Sequence, residues 1–411
     1  MVWVFVVSVV VLVFAVHLYL WQRLVRSTTR PGRLRTALTW GLVGLVLLVV
    51  ATFAGQRLEM GRWLAWPGYL WVAIMFYLVV FLLVLEVPRA VAWLVLRRAA
   101  RPKAVVESQA VAVAAGGPPA PVAEAPVEPV PPSMVSRRLF LGRATAAVAG
   151  VGALSTVGYG VRTALGDPVI EPVRITLPKL DSRLSGLRLA VVSDIHLGPI
   201  TGIGHTERIV RMINQLRPDV VTIVGDLVDG SVAELGALAR PLRSLESRYG
   251  AYFVTGNHEY YTANGPGEWV EELDRLGVRS LRNERVEIRH QGAVLDLAGV
   301  NDLGGAAMNE PPDFEKALGG RDTSRSTVLL AHQPVQVEQA ARYGVDLQLS
   351  GHTHGGQIAP FNLIVPLQQP VVSGLATVDG VQVYVTRGAG FWGPPVRVGA
   401  PPEITLVELR S

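Results

Sequence analysis

Residues 187–196 read Leu-Arg-Leu-Ala-Val-Val-Ser-Asp-Ile-His, a short apolar run that ends directly in Asp194-Ile195-His196. The construction recurs. The run at 220–225 leads into Gly225-Asp226-Leu227-Val228-Asp229, that at 251–255 into Gly256-Asn257-His258-Glu259, that at 327–331 into Ala331-His332, and that at 346–350 into Gly351-His352-Thr353-His354; a sixth lies at 381–386. Short apolar runs broken by Gly, Pro and Asp and alternating with helical stretches predict strands of a layered α/β domain. In open α/β sheets ligands bind beyond the carboxyl ends of the strands, so these motifs would converge there from distant parts of the chain. The stretch 205–216 places Ile209, Val210, Ile213 and Leu216 on one helical face, and 270–276 repeats the pattern; both read as core-facing helices with no call for a cofactor.

The polar residues of the five motifs are almost all Asp, Asn and His. Cysteine is absent, which excludes disulfides, thiolate ligands and a Cys nucleophile. Any metal must therefore be held by His, Asp and Asn, donors that suit Mn(II), Zn(II) or Fe. One carboxylate can bridge two ions about 3.5 to 4 Å apart, a geometry that activates water and clamps a phosphoryl oxygen. A lone Asp-x-His is more often a capped turn than a ligand pair. Here five of the chain's eight histidines fall inside an ordered set, leaving His17 in an apolar segment and His205 and His290 as cap or surface positions.

In order and content these motifs resemble the calcineurin-like metallophosphoesterase superfamily, whose pattern is D-x-H, G-D-x-x-D, G-N-H-[DE], a later H and G-H-x-H. The run Gly351-His352-Thr353-His354-Gly355-Gly356-Gln357 and a later Trp392-Gly393-Pro394-Pro395 look like its membrane-anchored bacterial branch, which includes twin-arginine-exported phosphoesterases. The resemblance implies a four-layer α/β sandwich, two mixed sheets flanked by helices, and a hydrolase of phosphoric ester or pyrophosphate bonds with two divalent metal ions. Asp194, His196 and His354 would hold the first ion and Asn257, His332 and His352 the second, with Asp226 bridging. His258 would donate a proton to the leaving oxygen or stabilise the transition state, and a metal-activated hydroxide would attack phosphorus. Asp229 reads as a group hydrogen-bonded to a ligand, and Glu259 as structural. Tyr260 and Tyr261 could stack on a substrate but fit packing better. Arg387 either presents its guanidinium to a phosphate or is an ordinary surface residue, and Gly355, Gly356 and Gln357 let the backbone pass close to the metals.

The remainder of the chain is different. Half of all residues are hydrophobic and only 17% charged, too apolar for an ordinary soluble enzyme. Runs at 1–20, 36–54 and 67–87 are each long enough to span a bilayer, and tryptophans lie mostly near their ends. Residues 101–135 are rich in Ala, Pro and Val and read as an extended linker. The segment 136–162 begins Ser136-Arg137-Arg138-Leu139-Phe140-Leu141, read either as a twin-arginine signal in an internal position or as a fourth spanning helix with basic flanks. The expected organisation is thus three spans over 1–100, the linker over 101–135, the fourth segment over 136–162 and the catalytic domain over 163–411.

Residues 1–162 carry 16 Lys and Arg against 5 Asp and Glu, and residues 163–411 carry 22 against 28. The basic residues crowd span ends while the catalytic part is mildly acidic, which argues against a nucleic-acid partner. Arg23, Arg26, Arg30, Arg33 and Arg35 follow the first span, and Arg89, Arg97, Arg98, Arg101 and Lys103 the third, against Arg57 and Arg62 after the second. The first and third loops are then cytoplasmic and, if the fourth segment inserts, the catalytic domain of this multi-pass protein is extracytoplasmic. Held at a membrane, it would act on a phosphorylated small molecule or lipid, including lipid-linked phosphates. Relatives that split UDP-2,3-diacylglucosamine work at the opposite face. The competing reading, a sensing or transport module with a ligand-binding outer domain, finds almost no charged residue within the spans to form an ion path.

Overall fold

The computed structural model describes residues 2–57, 62–99, 133–262 and 264–411. Most of the expected linker, 101–132, lies outside the described residues. Four helices come first: α1 (Val2–Leu20), α2 (Arg33–Arg57), α3 (Arg62–Ala99) and α4 (Ser133–Leu165). Within them the stretches Val7–Arg26, Arg33–Gly55, Trp63–Ala92 and Leu139–Leu165 are long and apolar enough to cross a membrane.

The chain divides into two compact units, one of residues 1–50 and 74–155, the other of residues 51–73 and 156–411. The first is a helical cluster in which Glu86 is fully engaged. Arg23 Nε lies 2.7 Å and Arg89 Nη2 3.0 Å from its carboxylate, and Tyr19 donates to it at 3.1 Å. Pairing of this kind is how a carboxylate in an apolar segment is accommodated structurally.

The second unit holds twelve strands in two six-stranded mixed sheets. One sheet runs β1 (Val169–Thr176), β12 (Glu403–Arg410), β2 (Arg188–Val192), β3 (Val220–Val224), β4 (Ala251–Val254), β5 (Val278–Ser280). Strands β2 to β5 are parallel, and β12 lies antiparallel to β2 in the register Leu406 to Ala190. The other sheet runs β10 (Gly374–Val378), β11 (Val381–Val385), β9 (Leu347–Ser350), β8 (Thr327–Leu330), β7 (Ala293–Gly299), β6 (Glu284–His290). Here β7, β8, β9 and β11 are parallel, with β6 and β10 antiparallel at the edges.

The pleat explains the layering, because alternate residues of one strand face opposite sides. Leu189, Val191, Leu295, Leu297, Val328, Leu330, Leu347 and Leu349 pack in the layer between the sheets. From the outer face of the first sheet, Ala190, Val192, Val221 and Ile223 meet α5 (Ile203–Gln215), α6 (Val232–Ala239) and α7 (Gly267–Arg275). On the second sheet Leu329, Val383 and Val385 meet α8 (Phe314–Leu318) and α9 (Val337–Arg342). Parallel strands buried on both faces need apolar side chains throughout, and Val-Val-Thr-Ile-Val of β3 is wholly buried. The result is the four-layer sandwich of two mixed sheets flanked by helices, preceded by apolar helices.

Candidate metal centre

Each of the five motifs starts at or just past the carboxyl end of a parallel strand. Asp194 follows β2, Asp226 follows β3, Asn257 and His258 follow β4, His332 follows β8, and His352 and His354 follow β9. The chain turns sharply there. Asp194, His196, Asp226, His352 and His354 all have φ between 48° and 69°, a left-handed conformation costly for residues with a Cβ, which persists at sites where surrounding contacts enforce it. Gly225, with φ of 76°, is needed for a second reason: a Cβ there would stand 2.7 Å from Gly256 Cα and 2.5 Å from His332 Nδ1.

Asp226 is the hub. Its Oδ1 accepts the amide of His258 at 2.9 Å, and its Oδ2 lies 3.2 Å from His332 Nε2, 3.8 Å from His196 Nε2 and 4.0 Å from His258 Nε2. The other nitrogen of each ring is already committed. His332 Nδ1 meets the Val224 carbonyl at 2.8 Å, and His196 Nδ1 and His258 Nδ1 meet Asp229 Oδ1 at 2.8 Å and 2.7 Å. A carbonyl only accepts, so His332 carries its proton on Nδ1 and turns Nε2 toward the carboxylate. Two acceptors facing each other at 3.2 Å need a proton or a cation between them.

Asp194, His196 and His354 bring ligand atoms within 4.8 Å of one another, and so do Asp226, His332 and His352, and between these sets His196, Asp226 and His258. His354 Nε2 is 3.3 Å from Asp194 Oδ1 and 3.1 Å from His196 Nε2. Asn257 Oδ1 is buried without a hydrogen-bond partner, while its Nδ2 donates to Tyr261 at 3.2 Å. A buried carbonyl oxygen with no hydrogen-bond partner, one residue before His258, is a donor that a cation could use. The donor set fits two ions.

The electrostatics of the cluster follow from its burial and its paired carboxylates and imidazoles. Burial resists ionisation of Asp226, yet His332 and His258 beside it hold its carboxyl well below the usual range. Burial likewise raises Asp194, a shift His332 only partly offsets. His332, though buried, is raised well above an ordinary imidazole by Asp226, so an arriving metal displaces a proton. Burial lowers His352 to about 4, helped by His332, and lowers His354 strongly, helped by the Arg397 guanidinium. Burial works against a charged His258, but Asp226 and Asp229 raise it to about 9.

A family model for calcineurin-like phosphoesterases matches residues 187–356, the span that holds all of these groups. A transmembrane protein with metallophosphoesterase domain from Danio rerio is 43% identical over 262 residues, covering 62% of this chain and 60% of that protein. A protein of the same description from Bos taurus is 40% identical over 288 residues, covering 67% and 64%. An uncharacterized metallophosphoesterase of Helicobacter pylori (strain ATCC 700392 / 26695) is 40% identical over 262 residues, covering 62% of this chain and 68% of its own length. The chain belongs to the calcineurin-like metallophosphoesterases. It spans less than two thirds of the length of the two vertebrate relatives.

Several groups in this metallophosphoesterase do more than their motif positions suggest. Asp229 joins two imidazoles through one oxygen and so orients both His196 and His258. Glu259 is fully buried and accepts the amides of Gly256 at 2.6 Å, Leu227 at 2.8 Å, Asp226 at 3.1 Å and Val228 at 3.3 Å. It thereby ties the loops after β3 and β4 together. Of the tyrosine pair, Tyr260 is buried against Thr255, while Tyr261 is exposed and meets the His258 ring edge-on at 5.0 Å. Arg387 turns to carboxylates, with Nε 2.7 Å from Glu403 and Nη2 3.4 Å from Glu171. His290, expected at a cap or surface position, is buried and bonded to the Tyr249 hydroxyl at 2.7 Å. Arg397, in no motif, is fully buried behind His354.

Proposed function

We propose that this chain is a membrane-held dimetal phosphohydrolase that cleaves a phosphoester or pyrophosphate bond by a metal-activated hydroxide, with lipid-linked phosphates as favoured substrates and nucleotide-sugar lipids as candidates only if the active site faces the cytoplasm. The convergence of three imidazole Nε2 atoms on the single oxygen Asp226 Oδ2 carries the reading. Asp194, His196 and His354 would hold one ion and Asn257, His332 and His352 the other, with Asp226 shared. Two divalent ions of Mn, Zn or Fe would supply Lewis acidity, neutralising phosphoryl charge and lowering the pKa of water toward neutrality. His258 stands beside this set. Asp229 fixes its Nδ1, leaving Nε2 to give a proton to the leaving oxygen or to stabilise the charged phosphoryl group. With Arg387 committed to Glu403 and Glu171, phosphate charge falls to the ions and His258.

Full-length protein stripped of metal by a chelator is expected to lose hydrolysis of phosphate esters and regain it with Mn(II), Zn(II) or Fe, at about two bound ions per chain. Monoester, diester, nucleotide-sugar and lipid pyrophosphate substrates assayed in parallel identify the bond. Full activity in chains free of bound metal overturns the proposal.

Residues 163–411 work outside the cytoplasm. The support is the arginine excess in the first and third loops and the basic pair Arg137-Arg138 ahead of the fourth apolar segment, read as a twin-arginine signal. A reporter fused after residue 165 is expected to register the outer face, and to lose that signal when Arg137 and Arg138 are both changed to Lys. A cytoplasmic signal from the unaltered fusion reverses the assignment.

A further inference from the structure

Beyond the second metal-binding histidine pair the chain runs from Gly355 to Val378 without one charged residue, in a domain that is otherwise mildly acidic. Much of this stretch is not buried. Phe361 is 45% exposed, Ile364 52%, Leu363 74% and Leu367 83%, on two short helical turns, Phe361–Leu363 and Val365–Leu367. Trp392, 56% exposed, lies close by. Its amide donates to Gln357 Oε1 at 3.0 Å, and Gln357 Nε2 returns a bond to its carbonyl at 2.9 Å. Solvated loops rarely present so many large apolar side chains together, and an apolar patch of this kind marks an interaction surface.

Two further contacts fix where the patch lies. It adjoins the metal centre: the Trp392 ring is 6.0 Å from that of His258, and a Cβ on Gly356 would stand 2.8 Å from Asn362 N. It also adjoins the head of a membrane-spanning stretch. A Cβ on Gly393, the residue after Trp392, would lie 3.6 Å from the Tyr69 ring, seven positions into α3. The same end of α3 carries Trp63, 92% exposed, and Trp66. Tryptophans grouped at the end of an apolar helix occupy the headgroup level of a bilayer.

We propose that the loop 361–367 and Trp392 dock into the lipid leaflet beside the start of α3, so that the hydrolase takes amphiphilic phosphates directly from that leaflet. The inference rests on the phosphohydrolase reading for its catalytic half only. Lack of charge removes the penalty for entering the interface, and the leucines and phenylalanine supply the apolar area that holds an interfacial segment there. A substrate with its acyl chains in the leaflet would present its phosphate at the rim formed by Trp392 and Tyr261, next to His258.

The absence of native cysteine allows the test. Full-length chains carrying Leu363→Cys or Leu367→Cys, labelled with an environment-sensitive dye and placed in phosphatidylcholine/phosphatidylglycerol vesicles, should show blue-shifted emission quenched by lipids brominated on the acyl chain. The label at Thr323→Cys, near the opposite ends of the strands, should stay water-like. Quenching at 363 and 367 no greater than at 323, or a shift without lipid quenching as a second copy or a protein partner would give, overturns the docking. In the same vesicles Leu363→Glu/Leu367→Glu should lower hydrolysis of a long-chain lipid phosphate about tenfold or more, since two exposed leucines that would enter the leaflet become charged, while p-nitrophenyl phosphate hydrolysis holds within about twofold. Equal losses on both substrates overturn the substrate claim. If neither substrate is cleaved the phosphohydrolase reading fails, and the quenching still decides the docking.

Discussion

Asp226→Asn is expected to reduce kcat/KM for phosphate ester hydrolysis by about 10³-fold or more, roughly 4 kcal/mol of lost transition-state stabilisation. The substitution is isosteric, and the oxygen that accepts the His258 amide at 2.9 Å can be kept. It removes the one negative charge toward which His196, His258 and His332 all turn. A neutral amide bridges two cations poorly, so bound metal should fall below that of the unaltered chain. His258→Asn gives the opposite pattern. Its ring touches Asp229, faces Asp226 and forms a cluster of its own with His196 and Asp226, but it is not among the proposed ligands of either ion, so metal content should hold while kcat falls by about 10² to 10⁴, the usual contribution of a positioned proton donor. Metal analysis beside steady-state kinetics separates the two. An Asp226→Asn chain with full metal and near-full activity would remove Asp226 from the bridging role.

What could be read from the sequence followed from burial and from where the polar residues fall. The six runs expected as strands lie within a residue or two of β2, β3, β4, β8, β9 and β11, central strands whose continuous apolar side chains are visible in any short window. Strands β1, β5, β6 and β10 carry no such mark because they are edges, and β7, though interior, because Asp296 interrupts its apolar run. Edge strands tolerate charge and proline, as in Val-Ile-Glu-Pro-Val-Arg-Ile-Thr of β1 with its Pro172. Strand β12 lies inside its sheet, but it pairs with residues more than two hundred positions earlier, and no local pattern encodes that partnership. Within the site Asp194, His196, Asp226, His332, His352 and His354 come together from the ends of four strands, because a D-x-H or G-H-x-H motif carries both donor type and strand end. The groups that hold them in place carry no such mark. Glu259 gathers four amides only because the loops after β3 and β4 approach each other, and Asp302 receives Gln333 Nε2 at 2.9 Å through a similar meeting of β7 and β8.

Arg397 is the clearest such case, and replacing it is expected to have the largest effect on stability. Its guanidinium is fully buried and meets no carboxylate directly. It donates to the carbonyls of His354 at 2.7 Å, Gly390 at 2.9 Å, and Gly388 and Ala400 at 3.3 Å each, and Nη2 faces His354 Nδ1 at 3.2 Å. Burial lowers its pKa to about 9, partly offset by Asp194, so it stays charged at neutral pH. Its own amide donates to the Gly160 carbonyl of α4 at 3.0 Å, so one residue links the end of that helix to the loop carrying His354. Arg397→Met fills comparable space but leaves the buried carbonyls of Gly390 and Ala400 without a donor, while those of His354 and Gly388 keep the amides of Gln357 and Glu403, and should cost about 3 to 5 kcal/mol of stability, as breaking a buried polar network does. Arg397→Lys keeps the charge but not the planar fork, and should recover only part of that loss. A purely structural role would lower the melting temperature and leave metal binding in the folded protein unchanged. If Arg397 positions His354, folded Arg397→Lys protein should also lose about 10- to 100-fold in affinity at the ion held by Asp194, His196 and His354, while the ion of Asn257, His332 and His352 binds as before. Two unchanged metal affinities in the folded Lys variant would confine Arg397 to the fold.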